Sequence, residues 1–140
     1  MPLHSFKEKL DRKVAGLHAL GEHLGKKLES EAKSIASWTD RTGATRAAIH
    51  GGADKTDKGT TVYVAHGSKV GMYHELGTGI YGPNKRPITP KNKKALRFEI
   101  GGKTIFVKSV KGIKANPVLE NTAKKIKAEI ENAIRRYWQS

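Results

Sequence analysis

A stripe of apolar residues at three- and four-residue spacing runs through the first quarter of the sequence, and no other feature constrains the fold as much. Its members are Phe6, Leu10, Val14, Leu17, Leu20, Leu24, Leu28 and Ile35. This spacing places their side chains along one face of a helix. We therefore predict a helix over about residues 5–36, with Ser5 as its cap. Three glycines inside it, Gly16, Gly21 and Gly25, leave room for another element to pack closely.

A second apolar stripe lies near the end of the sequence. Its members are Leu119, Ala123, Ile126, Ile130, Ala133, Ile134 and Tyr137. Asn116 is a suitable helix cap, and Pro117 suits the first helical position because its missing N–H would have no partner there. These features predict a second long helix over about residues 117–138.

β-Strand signals lie between the two predicted helices. Residues 60–65, TTVYVA, are mostly β-branched or aromatic and predict a strand. Gly101-Gly102 separates two segments of alternating character, 95–100 and 103–110, which predicts a hairpin with one buried face. Residues 44–50 fit a short helix and a strand equally well.

Two segments of the middle region predict loops. Residues 51–59, GGADKTDKG, are rich in glycine and charge, and residues 82–94 contain three prolines and several cations. The order of long helix, strands and long helix predicts one α+β domain over residues 1–140. In it, a small antiparallel sheet packs against the N-terminal and C-terminal helices.

Charge is the strongest compositional feature, with a net charge of +14 in 140 residues and a pI near 10.1. Such a chain is attracted to polyanions, whether nucleic acid or acidic protein. The absence of cysteine excludes disulfides and thiol catalysis. No apolar run approaches the roughly 18–20 residues of a membrane span, and the N-terminus lacks the apolar segment of a signal peptide. We expect a protein of the cytoplasm, or of something assembled there, without a membrane partner.

Residues 72–82, MYHELGTGIYG, contain two partial ligand motifs. An H-E-x-x-H zinc helix would need a second histidine at position 78, which is Thr78. A G-x-G-x-x-G dinucleotide loop would need a strand before Gly77 and a helix after Gly82, and neither is predicted. No arrangement of Ser, His and Asp indicates a nucleophile. We therefore expect no enzyme activity, no cofactor and no metal site.

Three short blocks resemble one protein family in the family's own order. Residues 38–46, WTDRTGATR, resemble a D-x-T-G-x-x-R block that follows the first helix. Residues 73–78, YHELGT, resemble a signature ending in E-x-G-T, and residues 113–119, IKANPVL, resemble the segment that leads into the last helix. With these blocks the chain resembles the small head–tail connector proteins of tailed phages, also called neck, tail-completion or gene-product-ten-like proteins. It departs from them at Ala115 and Val118, where proline and a bulky aromatic residue are common.

This resemblance implies a non-enzymatic virion protein that joins the portal-bearing head to the tail and is made in the host cytoplasm. It implies self-association into a ring in the assembled particle, with a monomer in isolation, other connector, portal-side or tail proteins as partners, and DNA in the channel as a secondary contact. The resemblance blocks also imply a structural turn motif, namely Asp40, Thr42, Gly43, Arg46, Glu75, Gly77 and Thr78. Within it we expect residues 75–78 to form a tight turn from sheet to loop, with Thr78 bonding locally.

The loops 51–59 and 79–94 are the expected surfaces for subunit or partner contacts. The candidate residues are Lys55, Lys58, Tyr81, Lys85, Arg86, Lys91, Lys93 and Lys94. The alternative is a basic nucleic-acid-binding protein without enzymatic activity, because cations are numerous between residues 85 and 114. However, no helix-turn-helix, zinc-finger or RNP-like pattern is present, and aromatic residues are few. We expect most of the cations to face acidic connector partners or the exterior.

Overall fold

A computed structural model describes residues 3–40, 42–57, 59–100 and 102–139 of the chain. The elements, in chain order, are α1 (Leu3–Ile35), α2 (Ala44–Ala47), β1 (Ile49–Thr56), β2 (Gly59–His66), α3 (Lys69–Leu76), a 3-10 turn (Gly79–Tyr81), β3 (Leu96–Ile100), β4 (Lys103–Val107) and α4 (Val118–Gln139). The α+β class is confirmed, with long helices near both ends of the chain. Helix α1 begins at Leu3, so Ser5 lies inside its first turn rather than at its cap.

The chain forms two compact units. We call Met1–Ser68 together with Val118–Ser140 the helix–hairpin unit, and Lys69–Pro117 the basic unit. The strands form two separate two-stranded sheets, β1 with β2 and β3 with β4, rather than the one sheet that the strand signals predict.

In the helix–hairpin unit, α1 packs against the β1–β2 hairpin at glycines on both sides. The strands pair antiparallel from Ile49 opposite His66 to Thr56 opposite Gly59. A Cβ atom at Gly25 would overlap the backbone of Gly52. One added at Gly21 would meet Ala53 at 3.1 Å. The prediction that glycines of the first helix permit close packing is therefore correct.

The predicted loop at 51–59 is wrong, because this segment forms most of β1 and the turn into β2. Glycine disfavours strands when only propensity is considered. Here α1 approaches so closely that a Cβ at the buried Gly51 would overlap the backbone of Gly25, and the backbone of the buried Gly52 lies beside the same residue. Residues 44–50, which fit either element, contain both: α2 ends at Ala47 and β1 begins at Ile49.

The core of the helix–hairpin unit joins α1, β1 and the start of α4. Four buried residues form its centre, with partly buried neighbours packed around them; the four are Ala32, Ala36, Ile49 and Val118. Helix α4 runs antiparallel to α1, as shown by ion pairs of Lys125 with Glu31 and of Lys27 with Glu129. The fully buried Thr122 donates its hydroxyl hydrogen to the Val118 carbonyl at 2.7 Å, so this hydroxyl has a hydrogen-bond partner inside the core.

The β3–β4 hairpin of the basic unit has the predicted register, with Leu96 opposite Val107 and Ile100 opposite Lys103. Its predicted buried face is not found. Phe98 and Ile105 lie opposite each other but are 38% and 40% exposed, and Phe106 is 65% exposed. The alternation of apolar and polar residues therefore identifies which side chains share a face of the hairpin. Among the described residues, no element buries Phe98 and Ile105 on that face.

Candidate functional site

The first resemblance block forms a clamp at the C-terminus of α1. The guanidinium of Arg46 donates hydrogen bonds to the carbonyl oxygens of Lys33, Ala36 (3.1 Å) and Trp38 (3.4 Å). Its Nε donates to a carboxylate oxygen of Asp40 at 2.8 Å. Because the last carbonyls of a helix have no partners within the helix, a planar cation is well suited to satisfy them. The guanidinium also lies 5.6 Å from the centre of the Trp38 ring.

The remaining residues of this block shape the chain between Asp40 and Arg46. The Thr42 hydroxyl accepts the backbone N–H of Ala44 at 3.2 Å. Gly43 has a φ of 78°, a backbone conformation that favours glycine, and its carbonyl accepts the N–H of Ala47 at 2.9 Å. The structure thus brings Asp40, Thr42, Gly43 and Arg46 together as one local scaffold.

The second block lies in the basic unit and ends α3. The N–H of Gly77 bonds the Tyr73 carbonyl at 2.8 Å, and Gly77 has a φ of 78°, as expected for a glycine that terminates a helix. Residues 75–78 therefore join a helix, and not the predicted sheet, to the following loop. Glu75 is half-buried on α3, immediately before this turn.

Thr78 bonds both its own turn and a distant segment. Its carbonyl accepts the N–H of Tyr81 at 3.1 Å, so a local bond is present as predicted, while its side chain bonds residue 113. Its hydroxyl accepts the N–H of Ile113 at 2.9 Å, and its N–H donates to the Ile113 carbonyl at 2.9 Å. The N–H of Ile80 donates to the Lys111 carbonyl at 2.8 Å. Gly79 and Gly112 have φ values of 61° and 105° where these two segments cross, and a Cβ at either would overlap the opposite backbone. The glycines thus shape a backbone crossing.

An open groove of about 820 Å³ lies beside this crossing, and we call it the α3 groove. One side consists of Met72, Tyr73 and Leu76 of α3, which are 42%, 50% and 53% exposed. The turn 77–79 continues it, and the other side is the loop between Pro83 and Lys91. Ile88 of this loop is paired with Val110 by two backbone hydrogen bonds of 2.9 and 3.0 Å. Both sides of the groove are therefore attached to ordered backbone.

Positive charge borders the α3 groove. Arg86 and Lys91 line it, and none of its described lining residues is acidic. The basic unit contains eleven lysines and arginines against two acidic residues, so it holds nine of the fourteen net positive charges. The five cations of the loop 82–94 form no ion pair with any carboxylate that the structure describes; they are Lys85, Arg86, Lys91, Lys93 and Lys94. Charge and exposed apolar surface coincide here.

The predicted contact residues are distributed over several places. Lys55 is exposed on strand β1 rather than in a loop, and Lys58 lies outside the described residues. The ring of Tyr81 has the Nζ of Lys114 at 5.9 Å from its centre. Arg86 and Lys91 line the α3 groove, whereas the exposed Lys85, Lys93 and Lys94 do not.

Sequence reasoning missed the apolar side of the groove. The spacing of Met72, Tyr73 and Leu76 places them on one helix face, and this apolar spacing is the signal that indicates the surface. The same residues overlap the partial ligand motifs of residues 72–82. In the described part of the chain, no group of three or more His, Cys, Asp or Glu residues is placed to hold a metal. Likewise, none of the described helices has the length and apolar character of a membrane span. Comparisons with protein-family models, curated proteins and solved structures found no match.

Proposed function

We propose that this protein is a structural component of the head–tail joint of a tailed bacteriophage or prophage. In this role it assembles as a ring and connects the portal-bearing head with the tail. It acts in the virion after assembly in the host cytoplasm, and it has no catalytic step. The observation that carries the proposal is the α3 groove, an exposed apolar surface bordered by unpaired cations in a unit that also bears the Glu75–Thr78 block.

Exposure of the groove side chains supports an assembly role. Large apolar side chains grouped on a surface leave water only when another molecule covers them, and such patches commonly mark interaction sites. The hairpin residues Phe98, Ile105 and Phe106 add further apolar area in the same unit. A subunit of a ring has at least two surfaces to cover in this way.

The backbone crossing supports the same role. Hydrogen bonds from Thr78 and Ile80 to residues 111–113 hold the α3 end and the segment before α4 in fixed register. A contact surface on ordered backbone loses little conformational freedom when a partner binds. The resemblance blocks at 73–78 and 113–119 meet at this crossing, so the two blocks form one structural feature.

A nucleic-acid-binding protein is the second candidate. The five unpaired cations between Lys85 and Lys94 favour it, since lysines and arginines that displace counterions from phosphates drive such binding. In a head–tail joint, the same cations make DNA a secondary contact.

Electron microscopy of particles tests the proposed function. With the gene deleted in its phage or prophage, we expect heads and tails that fail to join, and a plasmid copy should restore joined particles. A tagged copy should add ring density at the joint. Normal infectious particles from the deletion strain would contradict the proposal.

Salt-dependent DNA binding tests the second candidate. If the protein contacts about 6–10 phosphates, affinity for duplex or single-stranded DNA should fall about 10³–10⁵-fold between 50 and 200 mM salt. No binding at low salt would exclude nucleic-acid binding, and it would not affect the proposal of a head–tail joint protein.

A further inference from the structure

We propose that the α3 groove binds a short acidic, amphipathic segment of a partner protein. This inference rests on the proposed function, because the partner is taken to be another component of the joint. It adds the chemistry of that partner and the residues that recognise it, Met72, Leu76, Arg86 and Lys91.

The two sides of the groove have different chemistry. Helix α3 presents Met72, Tyr73 and Leu76, each about half exposed, and the opposite loop presents Arg86 and Lys91. An occupant that covers both sides must be apolar toward α3 and acidic toward the loop. A peptide segment with both faces meets this requirement, as in the recognition of amphipathic helices in grooves.

Charge complementarity selects the acidic occupant. No acidic side chain is among the described residues that line the groove, and neither Arg86 nor Lys91 has an ion partner among the described carboxylates. An arginine can bind a carboxylate through two parallel hydrogen bonds, which fixes orientation as well as attracting charge. The net charge of +9 on the basic unit repels a basic occupant, including the corresponding unit of a second copy.

The apolar side distinguishes a peptide from nucleic acid. A phosphate backbone lying along Arg86 and Lys91 would leave Met72 and Leu76 uncovered, unless bases stacked on them. Base stacking uses aromatic rings, and Tyr73 is the one aromatic side chain lining the described groove. A volume of about 820 Å³ accommodates several side chains of a peptide.

Fluorescence anisotropy with purified full-length protein tests the inference. The probe is a short labelled peptide that alternates Asp or Glu with Leu and Phe at helical spacing. A control peptide has serine in place of every acidic residue. We expect saturable binding of the acidic probe and at least about tenfold weaker binding of the control peptide.

Matched charge reversals locate the binding site. The double variant Arg86→Glu with Lys91→Glu changes the groove, whereas Lys103→Glu with Lys108→Glu changes the exposed hairpin of the same unit by the same net charge. We expect about tenfold or greater loss of affinity in the first variant and less than about threefold loss in the second. Leu76→Ser should also weaken binding without changing net charge, and circular dichroism checks that each variant is folded.

Other outcomes overturn the inference. Equal losses in the two double variants would mean general attraction to a basic protein. Duplex or single-stranded DNA that binds more tightly, and is lost in the groove variants alone, would assign the groove to nucleic acid. If the acidic probe does not bind, the inference that the α3 groove binds an acidic segment is wrong. The proposed function is tested separately. If Arg86→Glu with Lys91→Glu binds no probe but still supports normal joining of heads to tails, the groove inference is wrong. The proposal of a head–tail joint protein is then unaffected.

Discussion

The helix–hairpin unit and the basic unit differ in how they treat charge and apolar surface. The first contains sixteen lysines and arginines against eleven acidic residues, and it links α1 to α4 by ion pairs and by a buried core. The second has eleven cations against two acids and keeps large apolar side chains about half exposed. The first unit has a buried core, although Phe6, Leu10 and Val14 near the start of α1 are also largely exposed. The second unit combines exposed apolar side chains with a large excess of cations. Substitutions should therefore damage stability in the first and binding in the second.

The largest loss of stability should follow Gly25→Val. The added side chain overlaps the backbone of Gly52, so α1 and the hairpin must separate. Overpacking in a close contact of this kind costs about 3 kcal/mol of unfolding free energy. Urea unfolding measures it, and Ala19→Val on an exposed position of the same helix should change stability by less than about 0.5 kcal/mol. Similar small effects of both variants would show that the two backbones are not in contact.

Arg46→Ala should cost less than Gly25→Val, about 2 kcal/mol, since it leaves Asp40 and several carbonyl oxygens without their charged donor. Arg46→Lys should recover only part of this loss, because an ammonium cannot reproduce the planar fork. Arg136→Ala, on the exposed end of α4, is the control. If Arg46→Lys recovers the full unfolding free energy, then positive charge alone, and not the planar guanidinium, stabilises the C-terminus of α1.

A smaller effect, of about 1 kcal/mol, is expected at Glu29 and depends on pH. The N–H of Gly51, which donates to this carboxylate at 2.9 Å, and secondarily Lys33 and Lys26, lower the pKa of Glu29 below its ordinary value of 4.5. A lowered folded-state pKa stabilises the fold above the ordinary pKa, and this stabilisation is lost as pH falls through the folded-state pKa. The difference in melting temperature between wild type and Glu29→Gln should therefore be largest near neutral pH and shrink below about pH 4. A constant difference across this range would contradict the role of the charge.

The smallest effect on stability is expected for Leu76→Ser, within about 0.5 kcal/mol, because Leu76 is 53% exposed. Its counterpart Leu24→Ala, in a residue only 3% exposed, should cost about 3 kcal/mol. Thermal unfolding of both variants compares the two units directly. If Leu76→Ser is as damaging as Leu24→Ala, then α3 belongs to a core and the contrast between the units is wrong.

The sequence predicts the parts of the fold that depend on local periodicity. The stripes of α1 and α4 lie in helices close to the predicted bounds, and β3 (Leu96–Ile100) pairs with β4 (Lys103–Val107) as the hairpin signal predicts. The strand at 51–56 was missed because Gly51 allows the close approach of α1, a long-range cause that propensity does not contain. The cover over Phe98 and Ile105 was wrongly expected, because alternation says which side chains share a face and nothing about what lies over them.

The candidate site could be predicted only in part. Arg86 and Lys91 were candidates on charge alone, but their position opposite Met72 and Leu76 depends on the crossing of residues 77–80 with 111–113. Thr78 illustrates the difficulty, since its hydroxyl accepts the N–H of Ile113, which is 35 residues away in the sequence. Short side chains in a turn motif indicate local bonding by default. Only the folded chain shows the distant partner.

Two carboxylates of α1 bond N–H groups of β1, and this affects how the strand can pair with other chains. Glu29 accepts the N–H of Gly51, and Glu22 accepts the N–H of Ala53 at 3.2 Å, so part of the open side of this two-stranded sheet is already bonded. An unbonded strand edge is a template on which other chains add strands and aggregate. Because side chains of the first helix already bond these positions, this stretch of β1 has fewer free N–H groups on which another chain could add a strand.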